Sequence, residues 1–294
     1  MNTTIKVESL SKKFGKTKVV NGISFEVLEG EIFGFLGPNG AGKTTTVRMM
    51  IGEIVKDAGN IEILGHIVPE QMQELKRLVG VVPDHQNLYD RISVRQNLEF
   101  FADLYDIDYT RIDEVLEKVF LVEHQNKAAI DLSRGLRQRT LIARSLLHQP
   151  KVLFLDEPTS ALDPNSAILI RELIKELKLL GTTIFLTTHY MEEADSLCDR
   201  LAIMHHGNIV ACSQSKELKK SFSSDSLTIE YEDDSGKIVS KIYSLNDFND
   251  RQTASEIIAT RKIISIHSHE ASLEQVFLKV TGSEWKDESK SDEA

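Results

Sequence analysis

Apolar and polar positions along the chain follow two periods in turn. Residues 4–9 (TIKVES) and 23–28 (ISFEVL) alternate apolar with polar, the two-residue period of half-buried strands. EIFGFLG at 31–37 is a short apolar strand that runs into a glycine-rich stretch, after which TTTVRMMIGEI reads as a helix. GNIEILGHIV at 59–68 predicts another strand after a turn, and QMQELKRLVGVVP closes on a brief apolar run. From 93 to 122 the period lengthens: Val94, Leu98, Phe101 and Leu104 with Tyr105 recur at helical spacing. A further helix is expected through 136–147, an apolar strand at 151–155, a helix at 166–180 and a strand at 182–189 (TTIFLTTH). Strands alternating with helices predict an α/β fold with a mostly parallel sheet. The nearly strand-free stretch 84–147 predicts a helical subdomain inserted into it.

The pattern changes at 213–226 (SQSKELKKSFSSDS), which reads as a polar linker. Beyond it SLTIEYED and KIVSKIYSL flank DDSG, a hairpin signal. ASEIIATR is expected to be helical and KIISIHSH to be a strand. SLEQVFLKVTG is an amphipathic helix with Leu273, Val276, Phe277 and Val280 on one face, ending at Gly282. That is a small ββαβα unit, giving an expected division into a domain at 1–220, an α+β domain at 221–282 and a disordered acidic tail at 283–294. The length of 294 residues agrees with two domains. Lysine plus arginine number 35 against 45 acidic residues, a net charge of −10 that argues against a general nucleic-acid binder. Two cysteines, Cys198 and Cys212, cannot build a disulfide framework and fit a reducing compartment. The opening MNTTIKVESLSKK has no apolar core, so no secretory leader is expected. No apolar run approaches the roughly 18–20 residues of a membrane helix, so a membrane role is expected to run through a partner.

Candidate chemistry lies at two places. GPNGAGKTT at 37–45 fits the phosphate-binding pattern G-x-x-x-x-G-K-[ST] between a strand and a helix. Gly37, Gly40 and Gly42 let the backbone N–H groups curl towards phosphates, and the helix N-terminus adds positive potential. Lys43 supplies a cation for the β- and γ-phosphates, Thr44 a hydroxyl for Mg²⁺, and Thr45 a contact to the α-phosphate. KVLFLDEP at 151–158 delivers Asp156 and Glu157 at the carboxyl end of a strand, where ligands sit in open α/β sheets. Asp156 is expected to hold Mg²⁺ through water and Glu157 to act as general base on the attacking water.

With these motifs in place the chain resembles the nucleotide-binding subunit of an ABC transporter over about residues 3–215. The family's signature stands as Leu132-Ser133-Arg134-Gly135-Leu136, its aspartate loop as Ser160-Ala161-Leu162-Asp163-Pro164, its switch histidine as His189 and its adenine-stacking aromatic as Phe14. The resemblance implies a P-loop ATPase fold, with ATP and Mg²⁺ as cofactors. It implies a nucleotide site built from Phe14, the loop Gly37, Pro38, Asn39, Gly40, Ala41, Gly42, Lys43, Thr44 and Thr45, and Ser133, Gly135 and Asp163 from a second protomer. Such subunits pair head to tail around two ATP molecules, with His189 positioning the γ-phosphate. The implied partners are a membrane-spanning permease on a separate chain and a second ATPase subunit, at the cytoplasmic face of the cell membrane.

The sequence departs from the family pattern twice. Asp84 stands where a glutamine normally follows the proline after VGVVP, with Gln86 two residues on. A shorter, anionic side chain there either binds the metal more strongly, falls short of it, or faces solvent. Arg134 replaces the first glycine of the signature pair. Histidines at 205, 206, 267 and 269 complete no metal set and are expected to be solvated.

One phosphate loop and one signature, with no long coiled coil, point to a transporter subunit rather than a translation or chromosome ATPase. SLEQVFLKVTG and the opening run at 20–50 resemble bacterial drug-, sodium- and polymer-exporting subunits. Export is therefore expected, with an importer subunit or a non-transport ATPase as alternatives. Leu88, Tyr89, Leu98, Phe100 and Phe101 cannot all be buried on one helix face. They predict a partly exposed groove that receives a short helix of the permease.

Overall fold

In a computed structural model, the structure describes residues 2–85, 87–223, 225–268 and 271–282. Contacts divide the chain into two compact units, the first closing at Ser215 and the second opening at Lys216.

The first unit begins with an antiparallel hairpin of β1 (Thr3–Phe14) and β2 (Thr17–Leu28), turning at Gly15 with φ 58°. Both strands are longer than expected. Their distal halves carry Lys12, Lys13 and Lys18, so the ladder continues where apolar alternation has stopped. Next come β3 (Ile32–Leu36), α1 (Lys43–Met50), β4 (Ala58–Ile63), the two-residue β5 (His66–Ile67), the short α2 (Met72–Leu75) and β6 (Val79–Val82). The expected helical region contains α3 (Val94–Tyr105), α4 (Thr110–Lys118) and α5 (Arg134–Leu146), with α3 and α4 both packed on α5. Ser93 and Gln96 close a reciprocal capping box on α3. The unit then runs through β7 (Val152–Asp156), α6 (Pro164–Leu179), β8 (Thr183–Thr188), α7 (Met191–Leu197), β9 (Arg200–His205) and β10 (Asn208–Ser213).

Two sheets result. One is antiparallel, in the order β2-β1-β4-β5; the other has the order β10-β9-β3-β8-β7-β6 and is parallel except for β10. β3, β7 and β8 are buried along their whole length, which explains the apolar runs at 32–36, 152–155 and 184–186. Phe25 of β2 meets Phe33 and Phe35 of β3 and Phe185 of β8 with ring centroids 5.4–5.8 Å apart, joining the sheets in one aromatic core. Sheet order sets β3, β8 and β7 side by side, so their carboxyl ends open at one edge.

The second unit departs from the linker expectation. Residues 215–222 form α8 (Ser215–Phe222), because Leu218 finds a buried position and Lys219 and Lys220 fall in the last turn, where cations favour the helix dipole. The Lys279 ammonium donates to the Phe222 carbonyl at 2.7 Å, tying α8 into the second unit. The boundary accordingly falls between 215 and 216 rather than between 220 and 221.

β11 (Ser226–Glu232), β12 (Ile238–Ser244), α9 (Phe248–Thr260), β13 (Lys262–Ser268) and α10 (Leu273–Thr281) follow in the expected ββαβα order. The sheet order is β12-β11-β13, around a small core of Ile229, Tyr231, Tyr243 and Ala254. Gly282, at φ 67°, ends α10. The acidic hairpin is neutralised locally: Lys262 pairs with Glu232, Arg261 with Asp234, and Ser265 donates to Glu230. The expected tail at 283–294 lies outside the described residues, as do Gln86 and His269.

Candidate nucleotide site

β3 ends at Leu36, and the chain turns through 37–42 into α1. Glycine is required at two points of the turn. A Cβ on Gly42, whose φ is 108°, would stand 2.6 Å from the Val19 carbonyl oxygen; one on Gly37 would stand 2.5 Å from that of Met204. Gly42 caps α1 without a side-chain hydrogen bond, so no cap side chain takes up the first N–H groups. Lys43 is 4% exposed. Its ammonium donates to the carbonyls of Gly37 (2.6 Å) and Pro38 (3.3 Å) and lies 3.2 Å from Glu157 Oε1. Burial pushes its pKa down, while the carboxylates of Glu157 and Asp156 work against that shift. A cavity of about 130 Å³ opens over these groups, lined by Val19, Asn39, Gly40, Gly42, Lys43, Thr44, Thr45 and Glu157. A larger open hollow of about 630 Å³ beside β1, β2 and β4 is lined by none of them.

The carboxylates come from the end of β7. Asp156 is buried, and its Oδ1 accepts from the hydroxyls of Thr187 and, at 3.3 Å, Thr44. Burial raises its pKa against those bonds, and the charges of Asp84 and Glu157 push the same way. Glu157 follows in the left-handed region at φ 51°, uncommon for a residue with a side chain. Its N–H donates to both the carbonyl and the hydroxyl of Thr187, each at 3.1 Å. His189 Nδ1 lies 3.0 Å from Glu157 Oε2. Burial alone would raise the Glu157 pKa, but the His189 hydrogen bond and the Lys43 charge outweigh it and hold it below the ordinary value. The carboxylate is thus an acceptor only, so His189 Nδ1 carries the proton of this bond.

Ser133, Gly135 and Asp163 form a second group. Ser133 caps α5, accepting from Leu136 N at 3.3 Å, and Asp163 caps α6, accepting from Ser166 N at 3.0 Å. The two helix starts touch: a Cβ on Gly135 would stand 2.2 Å from Ser166 Oγ. Packing within the protomer therefore already demands this glycine. Phe14 stands at the hairpin tip, 48% exposed, with the Lys12 ammonium 5.3 Å from its ring centroid.

A model of the family described as ABC transporter matches residues 20–160. A fluoroquinolones export ATP-binding protein of Mycobacterium tuberculosis is 38% identical over 280 residues, covering 95% of this chain and 93% of its own. The chain belongs to the ABC transporter ATP-binding family. A Nod factor export ATP-binding protein I of a Rhizobium species is 43% identical to this ABC subunit over 70% of the chain and 69% of its own length. The linearmycin resistance ATP-binding protein of Bacillus subtilis is 37% identical over 76% and 73%. Among solved structures, a subunit of an ABC transporter complex from Clostridium perfringens superposes with a TM-score of 0.68 at 29% identity, over 74% of this chain and 91% of that one.

In this ABC ATPase the structure gathers Lys43, Thr44, Asp156, Glu157 and His189 at one strand edge. Asp84 sits near that edge, 3.9 Å from Arg48 and 3.6 Å from His85, and acts on Asp156 through its charge. The hard oxygens of the half-buried Thr44 and the buried Asp156, 3.3 Å apart, fit a divalent cation. No cluster of three or more His, Cys, Asp or Glu side chains suited to a metal occurs among the described residues, and the His205 and His206 rings lie tilted with centroids 4.0 Å apart. No helix among the described residues is long and apolar enough to cross a membrane. Sequence reasoning missed Thr187, the hub for both carboxylate residues. Its only signal was its place as one of three threonines in a buried central strand.

Proposed function

We propose that this ABC ATPase subunit drives export through a separate membrane-spanning permease, paired head to tail with a second ATPase subunit at the cytoplasmic face of the cell membrane. The observation that carries the reading is the near end-to-end match, second unit included, to a protein named for fluoroquinolone export.

ATP lies over the turn at 37–45 with its base against Phe14. The α1 N-terminus and Lys43 bind the phosphates. Thr44 and Asp156, with Asp84 as a further candidate, would hold Mg²⁺, which would neutralise phosphate charge. Glu157 takes a proton from the attacking water as its oxygen bonds to the γ-phosphorus and the bond to the ADP oxygen breaks. His189, bonded to Glu157, fixes that carboxylate and reaches the γ-phosphate. Ser133 and Gly135 of the opposite protomer close over the nucleotide, and Asp163 links the two sites.

The permease docks on the aromatic edge near α3. Leu98 is buried there, but Tyr89 (49%) and Phe100 (46%) remain exposed, with centroids 4.9 Å apart. The test combines function and capture. Full-length chain should copurify with a membrane protein, and crosslinks from residue 100 should reach it. Purification with soluble partners alone would sink the export reading, and wild-type turnover in Glu157→Gln would remove Glu157 as the base.

A further inference from the structure

The most deeply buried acidic side chain beside the site has no part in the steps above. Glu193, in the first turn of α7, is 2% exposed. Its Oε1 accepts from the Thr159 hydroxyl at 2.6 Å. The Thr188 side chain also hydrogen-bonds the carboxyl, and Arg171, His189 and Cys198 are near enough to interact electrostatically with it. Burying a carboxyl costs stability even where it is hydrogen-bonded, so its retention needs a reason.

The reason lies in the segment it holds. Thr159 stands between two residues with side chains in the left-handed region, Glu157 at φ 51° and Ala161 at φ 55°. Such conformations persist only where the surroundings over-determine them. Local backbone bonds, Ser160 N to Glu157 O (3.1 Å) and Leu162 N to Thr159 O (3.3 Å), close the turns but do not fix them to the body of the unit. The Glu157 N–H, bonded to Thr187, fixes one end of the segment, and the Thr159–Glu193 bond fixes the stretch between the two strained residues. The latter ties the segment carrying Glu157 to the helix that follows His189, and so spans the two residues whose 3.0 Å contact shapes the site.

We propose that Glu193 is a positioning residue for ATP hydrolysis, anchoring Thr159 so that the strained turn keeps Glu157 aimed beside His189. The inference rests on Glu157 being the base. It predicts a loss in kcat and not in nucleotide affinity, because neither Thr159 nor Glu193 lines the cavity over the phosphate loop.

The test measures kcat, KM and ATP affinity on the full-length chain for Glu193→Ala, Glu193→Gln, Thr159→Val, Thr159→Ser and the Glu193→Ala/Thr159→Val pair. Misplacing a reacting group by about 1 Å costs on the order of 10²-fold, so Glu193→Ala and Thr159→Val should each lower kcat by about 10- to 100-fold. ATP affinity should stay within about twofold, since neither change touches the binding loop. Glu193→Gln and Thr159→Ser keep the acceptor and the donor and should retain kcat within about threefold, an ordinary hydrogen bond being preserved. The double variant should fall no further than the worse single one, because both remove the same contact. Wild-type kcat in Thr159→Val, additive losses, or Glu193→Gln failing as badly as Glu193→Ala would each overturn the proposal. Thr159→Val decides the matter if Glu193→Ala does not fold. If Glu157→Gln hydrolyses normally, the base assignment fails first; if it is inactive while Thr159→Val is normal, only the positioning role fails.

Discussion

At the phosphate loop a full cation is buried against two carboxylates, whereas at the start of α5 the offering is a capped helix end. Lys43, Asp156 and Glu157 lean on one another so closely that burial and mutual charge shift the titration of all three. Ser133, Gly135 and Asp163 carry no buried charge, and their caps are satisfied within the protomer. The first group is chemically poised and tolerates little change of charge. The second is a matter of shape, set by how closely α5 and α6 approach. Substitutions should therefore fail in different currencies: chemistry and nucleotide affinity at one, closure at the other.

The largest effect is expected at Glu157. Glu157→Gln should cut turnover by about 10²–10⁴-fold while ATP still binds, as measured by steady-state hydrolysis and nucleotide titration. Lys43→Ala should weaken ATP binding by about 10- to 100-fold, given roughly 1.5–3 kcal/mol for a charge-assisted hydrogen bond. If ATP affinity survives there, the contrast between the two groups collapses. Gly135→Ala should cost about 1–3 kcal/mol in thermal unfolding, because its methyl would strike Ser166. It should also shorten the ATP-bound dimer while leaving monomer affinity in place, which light scattering would follow.

A pH profile sharpens the first half of the comparison. Glu157 titrates below the ordinary glutamate value, so the acid limb of kcat/KM should lie correspondingly low, activity falling only as pH drops through the depressed pKa. In His189→Ala the lowering hydrogen bond is gone and burial acts with less opposition. The limb should then move to higher pH; an unmoved limb would detach His189 from the base. The smallest effect is expected from removing residues 216–294, which should leave ATP affinity within about twofold, since no residue lining the cavity over the phosphate loop lies in that segment. Changed dimer lifetime or coupled hydrolysis in that truncation would mark the second unit as a regulator.

How much of this was legible follows from how the residues are arranged. The phosphate loop and the carboxylate pair are contiguous strings whose spacing is the mechanism, and flanking apolar runs placed both at strand ends. His189, Ser133 and Asp163 were legible only through family resemblance, since alone each is an ordinary polar residue. Thr187 and Glu193 were not legible, because their roles arise from contacts between elements 31 and 34 residues apart in sequence. Residues 215–222 misled for the opposite reason: a polar composition hid a helix held by Leu218 and by a lysine 57 positions beyond Phe222.

The resting partners of Lys43 have a thermodynamic corollary. Two carbonyl oxygens and a carboxylate already occupy the ammonium, so an arriving phosphate does not meet a bare charge but displaces incumbents. Nucleotide uptake is then an exchange between two sets of oxygens, and its free energy is the small difference between them. If Glu157 is the base proposed above, the same displacement would weaken one of the two neighbours that depress its pKa, and loading the site would also make it a stronger base.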